Sequence, residues 1–404
     1  MNKTLIKKAG YAALAGLLPL SATAGEVSIS GWINEGVTYF DDGDDSGLYQ
    51  NNENGHTLGS RITFSGSQDL GSGLSAGFEV ILEPQSADEI LGAGTSVAAR
   101  GQSGFGDENI GYAPDITGTT GDNIRVLGNS LNVSGGFGKI TVGLQSMPTD
   151  NIAVLEDPSL TLWSAISPIF VGNFTAIGGV TGAGAGASWS SFLNCGSGIG
   201  GIGIDCNGIY RRGVRYDLPA FGPVTVAVGA ANNDVYDVAA KYKGEFGGVK
   251  TQLALGYAMI NGTNSGINTG TDNFQMQLGL MDPGTGWFGS IAYQREDLDG
   301  TIAGVQDETD AFWTKVGIKK GFNSLGDTAI SVNYGQYIDQ YTDAALTGSE
   351  VERIGLEVNQ YIGSAFILYG VWEMLDLDVD GDTTGRYAGA DELNTFRLGA
   401  TYFF

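Results

Sequence analysis

The 404-residue chain has one histidine, His56, only two cysteines, and 20 Lys+Arg against 45 Asp+Glu. Each shortage removes a class of function. Nucleophilic hydrolysis needs a base beside the nucleophile. His56 stands three residues before Gly59-Ser60-Arg61 with no nucleophile motif around it, so no enzyme is expected. A Cys/His metal centre needs more ligands than these. Nucleic acid is not an expected partner, because that affinity comes from cations neutralising phosphates. No stretch beyond the amino terminus reaches about 18 uninterrupted apolar residues, so no transmembrane helix is expected.

What is present begins with a leader. MNKTLIKKAG, the apolar run YAALAGLLPL and Ala22-Thr23-Ala24 have the order of a secretory signal peptide. Residues 1–24 are therefore set aside, and 25–404 are read as one domain. Losing Lys3, Lys7 and Lys8 leaves 17 of the 20 cations against 45 acids, a net charge of −28. In an exported chain Cys195 and Cys206, with ten residues between them in a Gly/Ser-rich stretch, read as a local disulfide. Closing so short a loop contributes roughly 3 kcal/mol.

The rest resolves into alternating segments. Phe396, Leu398, Ala400, Tyr402 and Phe404 share one parity, and Arg397 and Thr401 the other, which is the period of a two-faced strand. The same holds for Leu74, Phe78, Val80 and Leu82 against Glu79 and Glu83, and for Ile354, Leu356 and Val358 against Arg353 and Glu357. Short turns such as 67–75, 134–139 and 243–250 alternate with longer, acidic connections such as 41–56, 85–121, 147–208 and 376–392. This predicts an all-β, up-and-down antiparallel transmembrane barrel of about sixteen strands, closed by the first and last. Trp32, Tyr39, Tyr216, Trp287, Tyr334, Trp372 and Tyr402 are read as interfacial girdles. Two positions break the pattern: Glu35 shares parity with Ile33 and Val37, and 123–133 is ambiguous at Arg125.

Several stretches resemble the general diffusion porins of Gram-negative bacteria. They are GSRITFSGSQDLGSGLSAGFEV (59–80), LNVSGGFGKITVGLQ (131–145), GVRYDLPAFGPVTVAVGA (213–230) and the terminal FRLGATYFF. The resemblance implies a trimeric, multi-pass outer-membrane barrel whose third loop, 147–208 here, folds into the pore as a constriction. Asp150, Glu156 and Asp157 are the acid candidates on that loop, and Cys195–Cys206 its clasp. Arg61 and Arg215 match the family's wall arginines; Arg211 joins them by parity. A third family arginine, in a Gly-Arg-Gln ending, is Leu144 here, which weakens the basic half of the constriction. The resemblance also implies contact with outer-membrane lipid and lipopolysaccharide. It makes Phe396, Leu398, Tyr402 and Phe404 part of the signal read by the barrel-assembly machinery.

The expected function is a water-filled channel for passive diffusion of ions and small hydrophilic solutes. A net charge of −28 favours cations. Alternatives are a solute-specific porin and a secreted or surface structural β-protein. No cofactor is expected. DLDVDGD (376–382) copies the opening of a calcium loop with Asp376, Asp378, Asp380 and Gly381, but position twelve is Tyr387 rather than a bidentate glutamate. A solvated acidic loop is the primary reading, with Ca2+ at the acidic surface loops as the lesser one.

Overall fold

The computed structural model describes residues 26–50, 60–85, 90–91, 123–161, 177–180, 189–193, 210–232, 234–261, 270–298, 307–339, 348–382 and 385–404. Residues 1–24, expected to be a signal peptide, and His56, Cys195 and Cys206 lie outside the described residues. The strands in chain order are β1 (Glu26–Asp41), β2 (Ser46–Gln50), β3 (Arg61–Gly71), β4 (Leu74–Gln85), β5 (Ile90–Leu91) and β6 (Asn123–Gly135). Next come β7 (Gly138–Ser146), β8 (Tyr210–Asp217), β9 (Val224–Ala231), β10 (Val235–Phe246), β11 (Val249–Ile260) and β12 (Thr271–Met281). The last six are β13 (Trp287–Leu298), β14 (Glu308–Asn323), β15 (Gly326–Ile338), β16 (Ser349–Ile362), β17 (Phe366–Val379) and β18 (Leu393–Phe403). The described residues contain no α-helix, only a 3-10 turn at Trp189–Phe192.

Every pairing is antiparallel, and sixteen strands form a closed ring as β18 pairs back onto β1 from Trp32↔Phe403 to Asp41↔Asn394. The two remaining strands are short extensions on the long-loop side. Glu26–Trp32 of β1 pairs with β3, while Val37–Asp41 pairs with β2, so β2 and β3 together occupy one place in the wall. β5 pairs with β2 in the same upper layer. Part of the expected 41–56 connection is therefore strand. Closure leaves no strand edge to be satisfied by water, which lipid cannot supply.

The two faces are reversed relative to a soluble protein. On β18, Thr395, Arg397 and Thr401 are at most 1% exposed, whereas Phe396, Leu398 and Tyr402 are 49%, 65% and 51% exposed. The apolar residues point away from the barrel, as a lipid-facing band requires. Short turns carry the local chemistry that the hairpins need. At Gly247-Gly248 both φ angles are positive (60° and 85°), the two-residue type I′ geometry that matches strand twist.

Both irregular positions have structural counterparts. A bulge between Ile81 and Leu82 inserts Leu127 opposite, so Ile124 and Val126 point outward on one parity and Asn129, Leu131 and Val133 on the other. Arg125 lies on the flipped segment, in register with Glu83. Glu35 is exposed on the outer face with Ile33 and Val37. One girdle assignment is corrected: Trp32 shares the inward parity of Asn34, and the Arg61 guanidinium sits 5.1 Å above its ring.

Candidate functional site

Ser146 ends β7 early, and the chain then turns into the barrel rather than out of it. Residues 147–161 cross the inner wall as a strap. Three wall glycines, Gly229 on β9, Gly256 on β11 and Gly279 on β12, make room for it. A Cβ at Gly229 would stand 2.7 Å from Met147 Cε, one at Gly256 3.0 Å from Thr149 Cγ2, and one at Gly279 2.2 Å from the Glu156 carbonyl oxygen. Space rather than backbone angle selects glycine here, because none of the three has a positive φ.

Polar contacts pin the strap along its length. Asp237 on β10 accepts hydrogen bonds from Thr149 N (2.9 Å) and Oγ1 (2.7 Å). Glu156 N donates to Gln277 Oε1 at 2.6 Å, and Gln277 is itself oriented by donating to Ser290 Oγ at 2.9 Å. Asp157 pairs with Lys315 of β14 at 2.6 Å, both side chains fully buried. Lys315 also donates to Thr161 O at 2.7 Å. Burial would raise the Asp157 carboxyl, but the Lys315 ammonium and hydrogen bonds from Lys315 and Ser159 outweigh it and hold the group below the usual aspartate value. Further on, Lys319 donates to Ser159 O at 2.9 Å and lies 3.6 Å from the Tyr361 ring centroid, while Tyr361 OH donates to Leu160 O at 2.9 Å. Leu160 has φ 60°, a conformation costly for a side chain of that kind and held here by these contacts.

Beyond the strap, one side of the lumen is filled by an apolar core. Trp189, Phe192 and Leu193 pack with Tyr387 and with wall residues Trp313, Tyr337, Val351, Leu375 and Leu377. The rings of Phe192 and Tyr387 meet edge to face at 5.0 Å. Inward Trp and Tyr pack against an inserted segment, much as they would in a soluble core.

The opposite side stays open. A cavity of about 510 Å³ lies against β1, β3, β4, β6, β7 and β8, lined by Ser65, Ser130, Thr141, Gln145, Arg215 and Asp217 among others. Arg61 sits on this side, bonded to Glu83 through Nε (2.9 Å) and Nη2 (2.6 Å), with its guanidinium between Trp32 and Tyr210. Arg215 is held by Asp217 (Nη2 at 2.8 Å) and donates to Ser146 O at 3.1 Å. Arg211 is 2% exposed and lies within Coulombic reach of Asp237. Leu144, at the position of the missing arginine, packs into a small apolar cluster with Ile81, Leu127 and Tyr210.

Of the candidate acids, two meet lysines and one a neighbouring amide. Asp157 faces Lys315, Glu156 pairs with Lys241 at 3.0 Å, and Asp150 accepts from Asn151 Nδ2 at 2.7 Å. Wall arginines meet wall acids. On the filled side Glu373 bridges Arg353 and Arg397, the latter at 2.6 Å. Lys241, Lys315 and Lys319 were not among the candidates. Lys315 and Lys319 share parity with Trp313 and Gly317, which marks them as inward. Asp376 and Asp378 fall within β17 rather than in a loop, exposed on its outer face in register with Glu352 and Glu350. Alternate residues on a strand do not wrap an ion as a calcium loop does. Among the described residues no group of three or more His, Cys, Asp or Glu is placed to hold a metal.

A closed sixteen-stranded barrel with an inward strap and a polar passage beside it is a channel architecture. The family model described as Gram-negative porin matches residues 10–404. The chain belongs to the Gram-negative porin family. Its fold is shared by an anion-selective porin from Comamonas acidovorans, at 20% identity over 94% of this chain and 100% of that one, TM-score 0.59. Salmonella typhi OmpF in complex with daunomycin aligns at 12% identity over 94% and 98%, TM-score 0.57. The outer-membrane channel DcaP of Acinetobacter baumannii aligns at 11% over 95% and 99%, TM-score 0.55. Comparison with curated proteins finds no match. The porin is accordingly an outer-membrane protein, with short turns at the periplasmic rim and long connections outside.

Proposed function

We propose that the porin conducts ions and small hydrophilic solutes by passive diffusion, prefers cations, and works as a homotrimer. The observation that carries this reading is the open, hydroxyl- and amide-lined cavity beside the strap. The cation preference rests on where charge is compensated. Inside the barrel Arg61, Arg215, Lys241 and Lys315 each have a carboxylate within 3.0 Å. The described residues at the outer rim, in the 41–45 stretch, at the end of β17 and in the turn after it above all, carry acids in excess, and their potential concentrates cations at the mouth. The trimer is supported by polar groups exposed on the outer face of one flank: Glu35 on β1, Asn129 on β6 and Arg212 on β8. A related fold, the Vibrio cholerae outer-membrane protein OmpT, is described in a trimer form.

Planar-bilayer recording under a salt gradient tests the proposal. The expected result is conductance in steps of three with a cation-preferring reversal potential. An anion-preferring reversal at low salt would overturn the selectivity. The second reading, a solute-specific channel, is favoured by the run Ser28, Ser65, Ser130, Thr141 and Gln145 along one wall. Current block by a neutral polyol, saturating at millimolar concentration, would select it.

A further inference from the structure

The charge is sorted along the barrel axis. At the outer rim the described strand ends and connections are rich in acids, as at 41–45, 307–310, 376–382 and 391–392. Among the described residues the cations at that level include Arg211 and Arg212 at the start of β8, Arg295 and Arg386, fewer than the acids, and Arg295 is already held by Asp297, Glu308 and Asp310. The lysines of the barrel lie from mid-height down to the short-turn rim: Lys139, Lys241, Lys243, Lys250, Lys315 and the Lys319–Lys320 pair. Lys139, Lys243 and Lys250 are exposed at that rim. Acids there, among them Asp69, Glu79, Asp217, Glu245 and Asp327, are similar in number, so the inner end is near neutral while the outer end is strongly negative. The strap narrows the passage between the two ends.

We infer that this porin is a rectifying channel, passing more current when the outer side is positive than when it is negative. The inference rests on the channel reading above. In the acidic outer zone the carriers are cations. An outer-positive field drives them into the narrow, nearly neutral inner half, while anions held near the lysines move outward to meet them. Salt accumulates in the constriction and conductance rises. The opposite field draws both kinds of ion away from the constriction and depletes it. The effect depends on potentials that reach across the pore, so it weakens as the Debye length falls from about 10 Å at 0.1 M salt to about 3 Å at 1 M.

Single-channel current–voltage curves test this in symmetric KCl. Sidedness is assigned by one-sided streptavidin addition to a biotin-acceptor peptide placed just ahead of Glu26, the start of β1 at the short-turn rim. At 0.1 M the outer-positive conductance is expected to exceed the reverse by about 1.5-fold or more, approaching equality at 1 M. Combining Asp307→Asn, Asp378→Asn, Asp380→Asn and Glu392→Gln, all exposed carboxylates, is expected to reduce the asymmetry, and Lys243→Gln with Lys250→Gln to reduce it further. Equal conductance in both directions at 0.1 M would overturn the inference, as would an asymmetry of the same size at 1 M, which would be steric. The wild-type salt series decides even if a variant fails to assemble. No conductance at all would overturn the channel reading with it, whereas an ohmic channel overturns only this one.

Discussion

Asp157 Oδ2 lies 2.6 Å from Lys315 Nζ, with neither side chain exposed, and this contact joins the strap to the far wall. Removing one partner of such a pair leaves an uncompensated buried charge, at a cost of about 3–5 kcal/mol. Lys315→Met should therefore release the strap locally, raising open-channel noise and conductance while the barrel keeps its heat resistance on gels. Adding Asp157→Asn to Lys315→Met should recover much of the quiet behaviour. If Lys315→Met records like the wild type, the bridge does not hold the strap.

The same contact sets an acid limit. Asp157 is held below its ordinary value of 3.8, so the bridge contributes fully above that pH and is lost only as pH falls through the lower, folded-state value. Channel noise should stay flat as pH is lowered to about 4 and rise only at more acid pH. A rise centred between pH 5 and 6 would show that another group governs the strap.

The glycine seat makes a steric prediction. Gly279→Ala would place a methyl group 2.2 Å from a backbone oxygen of the strap, which cannot rotate away. The strap should shift toward the open cavity and lower conductance. Gly136→Ala, with nothing within 4 Å and no positive φ, is the matched control and should leave it unchanged. Equal currents from the two variants would place the strap elsewhere.

At the seam, Phe404 N donates to Gly31 O at 3.1 Å, and Gly31 N donates to Phe404 O at 3.0 Å. Deleting Phe404 removes both bonds as well as the aromatic side chain, whereas Phe404→Ala keeps the bonds. We propose that the aromatic residue is read during assembly by the outer-membrane insertion machinery. Both variants should then accumulate unfolded in the periplasm, as scored by fractionation and heat modifiability. Normal insertion of Phe404→Ala alongside failure of the deletion would assign the defect to seam closure instead.

Selectivity offers a further check. Arg61 compensates Glu83, which is 1% exposed. Arg61→Ala leaves that carboxylate facing the passage and should shift the reversal potential further toward cations. Arg61→Ala with Glu83→Gln should return it close to wild type, and an unmoved reversal potential in the single variant would take Arg61 out of the conducting path.

How much of this was legible in the sequence follows from the range of each interaction. Period-two alternation is local, so Phe396, Leu398 and Tyr402 against Arg397 and Thr401 assign the two faces of β18 from eleven residues alone. The alternation of short turns and long acidic connections likewise implies an up-and-down barrel, and closure follows because lipid tolerates no open edge. The acidic balance is also read from composition alone. Only the tertiary structure decided which charges meet. Asp157 and Lys315 are 158 positions apart, and no spacing rule connects them. A bulge at Leu127 reversed parity in the middle of β6, and a reading by alternation registers this only as an ambiguity. Inward Trp313 and Tyr337 became core because a distant segment, Trp189–Leu193, was folded against them. Alternation reports that a residue points inward. Whether it then meets water, a counter-charge or an inserted strap depends on parts of the chain that become neighbours only when the barrel closes.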